Sequence, residues 1–226
     1  MNLLFDLDGT LTDPFEGITR CIAYALTQLG RKPPSRKTLR WCIGPPLKDS
    51  FSKLLATDDA GLVQKAVDLY RQRFGSVGMF ENRVYPAIPK VLVALKAQGN
   101  HLVVATSKPT VYAAQIVDHF DLRPFFEAVY GSDLDGTRSD KTGLISHILE
   151  KASLAHSRTW MIGDRKHDIQ GAVANRIKGL GVLWGYGSRN ELETAGAHAC
   201  IRFAEELPAF FAGRVEQAKI VRDGDD

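Results

Sequence analysis

Short apolar runs recur along this chain, with stretches of helical periodicity between them. The runs at 2–6, 101–106, 127–131, 159–163 and 180–184 predict strands, and the stretches at 86–98, 109–119, 141–153 and 166–175 predict helices. Strands that alternate with helices predict an α/β fold, a doubly wound parallel sheet covered on both faces. Such sheets place their sites at the carboxyl ends of the strands. The alternation lapses between about residues 15 and 79, where helices are expected at roughly 15–30, 36–42, 46–56 and 59–75. Gly30 to Pro34 and Gly44-Pro45-Pro46 break that stretch, and Gly75 to Gly78 marks the return. The expected organisation is a core of residues 1–14 and 80–226 with an inserted helical domain of residues 15–79. The polar stretch at 216–226 is expected to fray.

Composition narrows the function classes. Of 226 residues, 44% are hydrophobic, enough for one sizeable core. The formal charge of +3 is spread along the chain without a basic block, which argues against a nucleic acid polymer as partner. Cys21, Cys42 and Cys200 are odd in number and have no metal-ligand spacing, as in reduced thiols of a cytoplasmic protein. No apolar run approaches the ~20 residues that cross a bilayer, so no membrane partner is expected. Acids occupy the start of the chain, so no signal peptide is read there.

The chemistry sits at predicted strand ends. Asn2-Leu3-Leu4-Phe5-Asp6-Leu7-Asp8-Gly9-Thr10 ends an apolar run in two carboxylates. On a regular strand residues two apart face one side, so Asp6 and Asp8 together suit a hard cation. A calcium loop starting at Asp6 fails, because Leu11 stands where it needs glycine and Gly17 where it needs glutamate. The segment is nearly repeated at Asp133-Leu134-Asp135-Gly136-Thr137, whose flanking turn formers and Arg138 read as a polar loop. At Trp160-Met161-Ile162-Gly163-Asp164 another run ends in an acid, with Asp168 four residues on; a helix starting after Asp164 brings both carboxylates to one point. At His101–Pro109 a run delivers Thr106 and Ser107 to a helix start, where free N–H groups suit a phosphate or the hydroxyls simply cap. Lys141 opens the next predicted helix.

Taken in order, these groups resemble the four signature motifs of the haloacid dehalogenase superfamily: Asp6-Leu7-Asp8-Gly9-Thr10, Thr106, Lys141, and Gly163-Asp164 with Asp168. The resemblance covers nearly the whole chain. It implies a Rossmann-like core with a small helical cap directly after the first motif, and it makes the N-terminal copy of the repeated segment the reactive one. Trp41-Cys42-Ile43-Gly44-Pro45-Pro46-Leu47 and Val182-Leu183-Trp184-Gly185-Tyr186-Gly187 look like the phosphoglycolate phosphatase-like branch, which also holds proteins called 5′-nucleotidases. In one departure, Thr142 follows Lys141 where many relatives have proline, so Lys108 and Lys166 stand as alternatives for the third motif.

The resemblance implies a phosphatase acting on a small phosphorylated metabolite, phosphoglycolate or a nucleoside 5′-monophosphate, with Mg²⁺ as cofactor. Asp6 would be the nucleophile and Asp8 the proton shuttle. Metal ligands would be Asp6, the backbone carbonyl of Asp8, and Asp164, with Asp168 in support. Gly9, Thr106, Ser107 and Lys141 would hold the phosphoryl group, and Arg40, Gly44 and Lys48 of the cap would read the substrate. A sugar-phosphate mutase and a catalytically silent phosphate- or metal-binding module remain alternatives. A phosphonoacetaldehyde hydrolase, with Lys48 or Lys53 forming a Schiff base, is disfavoured by Asp8. The chain is expected to be a monomer or homodimer.

Overall fold

The computed structural model describes residues 1–212; the tail read at 216–226 lies outside them. In chain order the elements are β1 (Asn2–Phe5), β2 (Thr12–Asp13), α1 (Phe15–Gln28), a 3₁₀ turn (Arg36–Cys42), α2 (Leu47–Leu55), α3 (Ala60–Arg73), a π-helical turn (Phe74–Gly78) and β3 (Arg83–Val84). There follow α4 (Ile88–Ala97), β4 (His101–Pro109), α5 (Thr110–His119), β5 (Ala128–Ser132), α6 (Lys141–Lys151), β6 (Thr159–Gly163), α7 (Lys166–Ala174), β7 (Lys178–Val182), α8 (Arg189–Thr194) and β8 (Ala199–Ile201). No helix among the described residues is long and apolar enough to cross a membrane.

Six strands form one sheet in the order β5-β4-β1-β6-β7-β8, every neighbouring pair parallel. The α/β fold expected from the alternation is therefore present. It forms because the central strands β1, β4 and β6 are apolar on both faces. Leu3, Phe5, Val104, Trp160 and Ile162 pack into one core, and Leu4, Val103, Ala105 and Met161 pack into another with Leu144, Ile145 and Ile148 of α6. From β1 the chain builds β4 and β5 to one side and β6, β7 and β8 to the other. That reversal opens a crevice beside the carboxyl end of β1.

The helices of residues 15–78 leave and re-enter the core through a two-stranded antiparallel ribbon, with Thr12 opposite Val84 and Asp13 opposite Arg83. Asp59 caps α3 by accepting the N–H groups of Gly61 and Leu62. Phe51, Tyr70 and Phe74 are buried and pack ring to ring.

Some elements differ from the sequence expectation. β4 runs on to Pro109, past a shift in its pairing with β5 between Ala105 and Pro109. The strand expected at 180–184 lies at Lys178–Val182, where Gly179 and Gly181 dilute the apolar pattern. β2, β3 and β8 span only two or three residues each, too short for any period to register.

Candidate active site

Register assembles the site. Phe5 is level with Val104 on β4 and Ile162 on β6, so Asp6, Thr106 and Asp164 follow at one edge of the sheet. The Asp6 N–H donates to the Ile162 carbonyl at 2.9 Å, which holds Asp6 in line with the sheet although the strand has ended. Beyond it the Leu7 carbonyl accepts the N–H groups of Thr10, Leu11 and Thr12 and closes a tight loop. The rule that residues two apart share a face therefore does not reach Asp8. Asp6 and Asp8 point to different lysines.

Asp6, Asp164 and Asp168 are buried, each with a carboxylate oxygen within 4.8 Å of the others'. The buried Lys141 ammonium lies 2.9 Å from Asp6 Oδ1, 2.8 Å from Asp168 Oδ1 and 2.9 Å from the Ala105 carbonyl. Burial pulls the Lys141 pKa down, but Asp168 and Asp6 outweigh it and the net shift is upward, so the ammonium is fixed as a cation. Burial, then Asp168 and Asp6, pushes Asp164 well above the usual carboxylate range. Burial also raises Asp168 to about 6, against the pull of Lys141. Three packed carboxylates beside one ammonium leave negative charge that only protons or a cation can offset. The donors are all oxygen, so the residues fit a hard divalent cation. Asp164 and Asp168 converge as their spacing implied. The Arg165 N–H donates to Asp168 Oδ2 at 3.1 Å, and α7 starts beside that bond.

The loop after β1 fits against this cluster without slack. Gly9 has φ +89°, and a Cβ there would fall 2.3 Å from Asp164 Oδ2. The Trp184 indole N–H donates to the Thr10 carbonyl at 3.0 Å, and the Tyr186 N–H to Asp164 Oδ2 at 2.7 Å, so the Val182–Gly187 segment buttresses the same loop. Gly9→Ala is expected to lower kcat about 100-fold by displacing Asp164, and to lower the melting temperature. Wild-type kcat in that variant, with phosphate release as the assay, would show that the close approach does not matter.

Asp8 turns its carboxylate to Lys108. The Lys108 ammonium lies 2.8 Å from Asp8 Oδ2, with the two side chains 7% and 13% exposed. Asp8 Oδ1 is buried and has no hydrogen-bond partner among the described residues. Burial raises the Asp8 pKa, with Lys108 opposing. Thr106 is buried, and its hydroxyl oxygen accepts the Lys108 N–H at 3.3 Å, which shapes the turn carrying Ser107. Of the three lysines considered for the third motif, Lys141 meets Asp6, Lys108 meets Asp8, and Lys166 is exposed on α7.

Asp6, Asp8, Thr106, Ser107, Lys141 and Asp168 border a cavity of about 390 Å³, which Cys42, residues 44–49, Val67, Tyr70, Arg71 and Phe74 border as well. Lys48 and Gly44 are among these residues. Gly44 has φ +102° and its would-be Cβ lies 2.8 Å from Arg165 Cγ, while the Arg165 guanidinium donates to the Ile43 carbonyl and to Glu191. Arg40 is placed elsewhere. Its guanidinium lies 4.8 Å from the centre of the Tyr186 ring and 5.8 Å from that of the Phe15 ring, and Arg40 does not border the cavity. The Asp133–Thr137 segment forms a turn, with Asp135 Oδ1 accepting the Thr137 N–H, and it also borders the cavity. Sequence reasoning missed Arg71, the grip of Lys108 on Asp8, and the Arg165 contact. A cation one helical turn before the buried Phe74 was the available signal for Arg71.

With this geometry in hand, comparison with known proteins is specific. The profile of the family described as haloacid dehalogenase-like hydrolase matches residues 3–182. A 5′-nucleotidase of Pseudomonas aeruginosa is 47% identical over 208 residues, 92% of either chain. A phosphoglycolate phosphatase of Caulobacter vibrioides is 31% identical over 214 residues, 91% of this chain and 88% of that one. The crystal structure of a "predicted phosphatase" from Clostridium acetobutylicum superposes with a TM-score of 0.89 at 43% identity, covering 93% of this chain and 97% of that one. The chain belongs to the haloacid dehalogenase-like hydrolases and is a phosphatase of that family.

Proposed function

We propose that this phosphatase hydrolyses a nucleoside 5′-monophosphate with Mg²⁺ as cofactor, through a phosphoryl group carried on Asp6. The observation that carries this reading is the convergence of Asp6, Lys141 and Asp168 on a cavity that Asp8 also borders, with Asp164 buried beside Asp6 and Asp168. Asp6 attacks phosphorus as the bond to the leaving oxygen breaks, and Asp8 gives its proton to that oxygen. Water then attacks the aspartyl-phosphate while Asp8 takes a proton back, so both carboxyl groups and one phosphate are regenerated. Lys141 keeps Asp6 aimed, and with Thr106, Ser107 and the N–H groups around Gly9 it binds the phosphoryl oxygens. Asp6, Asp164, Asp168 and the Asp8 backbone carbonyl would hold Mg²⁺, which supplies charge neutralisation between the nucleophile and the phosphate dianion.

Residues 15–79 act in this reading as the cap, excluding water from the cavity and contacting the leaving group. Lys48 and Gly44 are its proposed substrate-facing residues, joined by Arg71. Two observations favour a nucleotide over phosphoglycolate. The cavity of about 390 Å³ falls in the range of sites that enclose larger ligands, and the 47% identical relative is named a 5′-nucleotidase.

The test is phosphate release from nucleoside 5′-monophosphates, phosphoglycolate and sugar phosphates, each with Mg²⁺ and with chelator. Nucleotides are expected to lead by about tenfold or more in kcat/KM, and chelation to stop release. Phosphoglycolate ranking first would overturn the substrate. Isomerised sugar phosphate without free phosphate would make the protein a mutase.

A further inference from the structure

We propose that Lys108 is a positioning residue for Asp8: it grips Oδ2 of that carboxyl group and leaves Oδ1 free to carry the transferred proton. This inference rests on the reading of Asp8 as the proton shuttle. The argument starts from an asymmetry. Of the two Asp8 oxygens, Oδ2 lies 2.8 Å from the Lys108 ammonium, while Oδ1 is buried and meets no donor among the described residues. A buried oxygen without a partner costs stability unless a partner arrives later. Asp8 borders the cavity, so the arriving partner is the leaving-group oxygen or the attacking water.

Lys108 is itself held by more than Asp8. Its backbone N–H donates to Thr106 Oγ1, its side chain is 7% exposed, and its ammonium lies 4.3 Å from the centre of the Phe74 ring. Phe74 stacks on Tyr70 at 5.2 Å between ring centres and meets Tyr112 edge-on. Thr106 and Lys108 stand on the end of β4, and Phe74 on the π-helical turn that ends the helical segment. The ammonium is thus the point where the sheet edge, the helical segment and Asp8 meet. A lysine serving only to neutralise Asp8 would need no aromatic seat on the helical segment. A lysine that fixes the rotamer of Asp8 once that segment is in place does need one.

The readout is leaving-group dependence in the first turnover, measured by rapid quench as alcohol release. An alkyl phosphate such as a nucleoside 5′-monophosphate needs the proton, whereas 4-nitrophenyl phosphate releases a stable phenolate without it. Lys108→Met keeps the chain length and removes the grip. It is expected to slow alkyl release about 30-fold or more, and 4-nitrophenol release by less than about threefold. Equal losses on both substrates would overturn the inference and make Lys108 a phosphate-binding or structural residue. Asp8→Asn is run beside it. If Asp8→Asn also loses both substrates equally, the shuttle reading itself fails. If Asp8→Asn discriminates and Lys108→Met does not, only the role of Lys108 fails. Should Lys108→Met not fold, Lys108→Arg, which keeps the charge but replaces the single-point grip, carries the same comparison.

Discussion

Asp6→Asn is expected to abolish turnover, with kcat falling by about 10⁴ or more and no phosphoryl group trapped on the protein. An amide keeps the shape of the carboxylate but has no anionic oxygen to attack phosphorus. Folding is expected to survive. Lys141 retains Asp168 at 2.8 Å and the Ala105 carbonyl at 2.9 Å, and loss of one negative charge relieves repulsion on Asp164 and Asp168. The melting temperature of the cation-free variant should therefore equal or exceed that of the wild type. Phosphate-release kinetics and mass spectrometry of acid-quenched protein check both halves. Wild-type turnover, or a phosphoryl group still found elsewhere in the chain during turnover, would remove Asp6 from the nucleophile's role.

The same cluster shows what a sequence carries and what it does not. Leu3-Leu4-Phe5, Leu102-Val103-Val104 and Trp160-Met161-Ile162 were legible as buried strands because each is apolar on both faces, and their acids and hydroxyls sit where such strands stop. Lys141 was legible only through the order of the motifs. A lysine opening a helix reads as solvated surface until β4 and α6 pack and bring its ammonium under Asp6. The division of labour between Asp6 and Asp8 came from the order of the motifs, not from strand geometry. β1 ends at Phe5, the chain turns around the Leu7 carbonyl, and strand periodicity no longer governs where Asp8 points. The direction of Arg40 was illegible for a related reason. Within a 3₁₀ turn its direction depends on which rings lie nearby, and Phe15 and Tyr186 come from distant parts of the chain. Pairings across the cavity, such as Lys108 with Asp8 and Phe74, leave no periodic trace.

Stability should respond to Mg²⁺ in a pH-dependent way. Burial raises Asp168 to about 6, above the ordinary carboxylate range, and raises Asp164 as well. Between that range and the raised values the folded chain keeps a proton that the unfolded chain has lost, so the contribution is favourable at low pH and is lost as pH rises through the folded pKa. Asp8, raised by burial, adds in the same direction, while His167, lowered chiefly by burial, works against it. Asp13, Glu81 and Glu191 are held below the usual carboxylate range, so they change stability only in more acid solution. A cation that takes these oxygens must displace the same protons, and it stabilises by about 2.7 kcal/mol at a hundred times its dissociation constant. Urea unfolding at about pH 5 and about pH 7.5, with chelator and with Mg²⁺, therefore has a defined outcome. The stabilisation by Mg²⁺ is expected to be larger at the higher pH, and His167 cancels in that difference because it is common to both conditions. Equal stabilisation at both pH values would mean that Asp164 and Asp168 do not hold the cation, and the proposed metal site would fall with them.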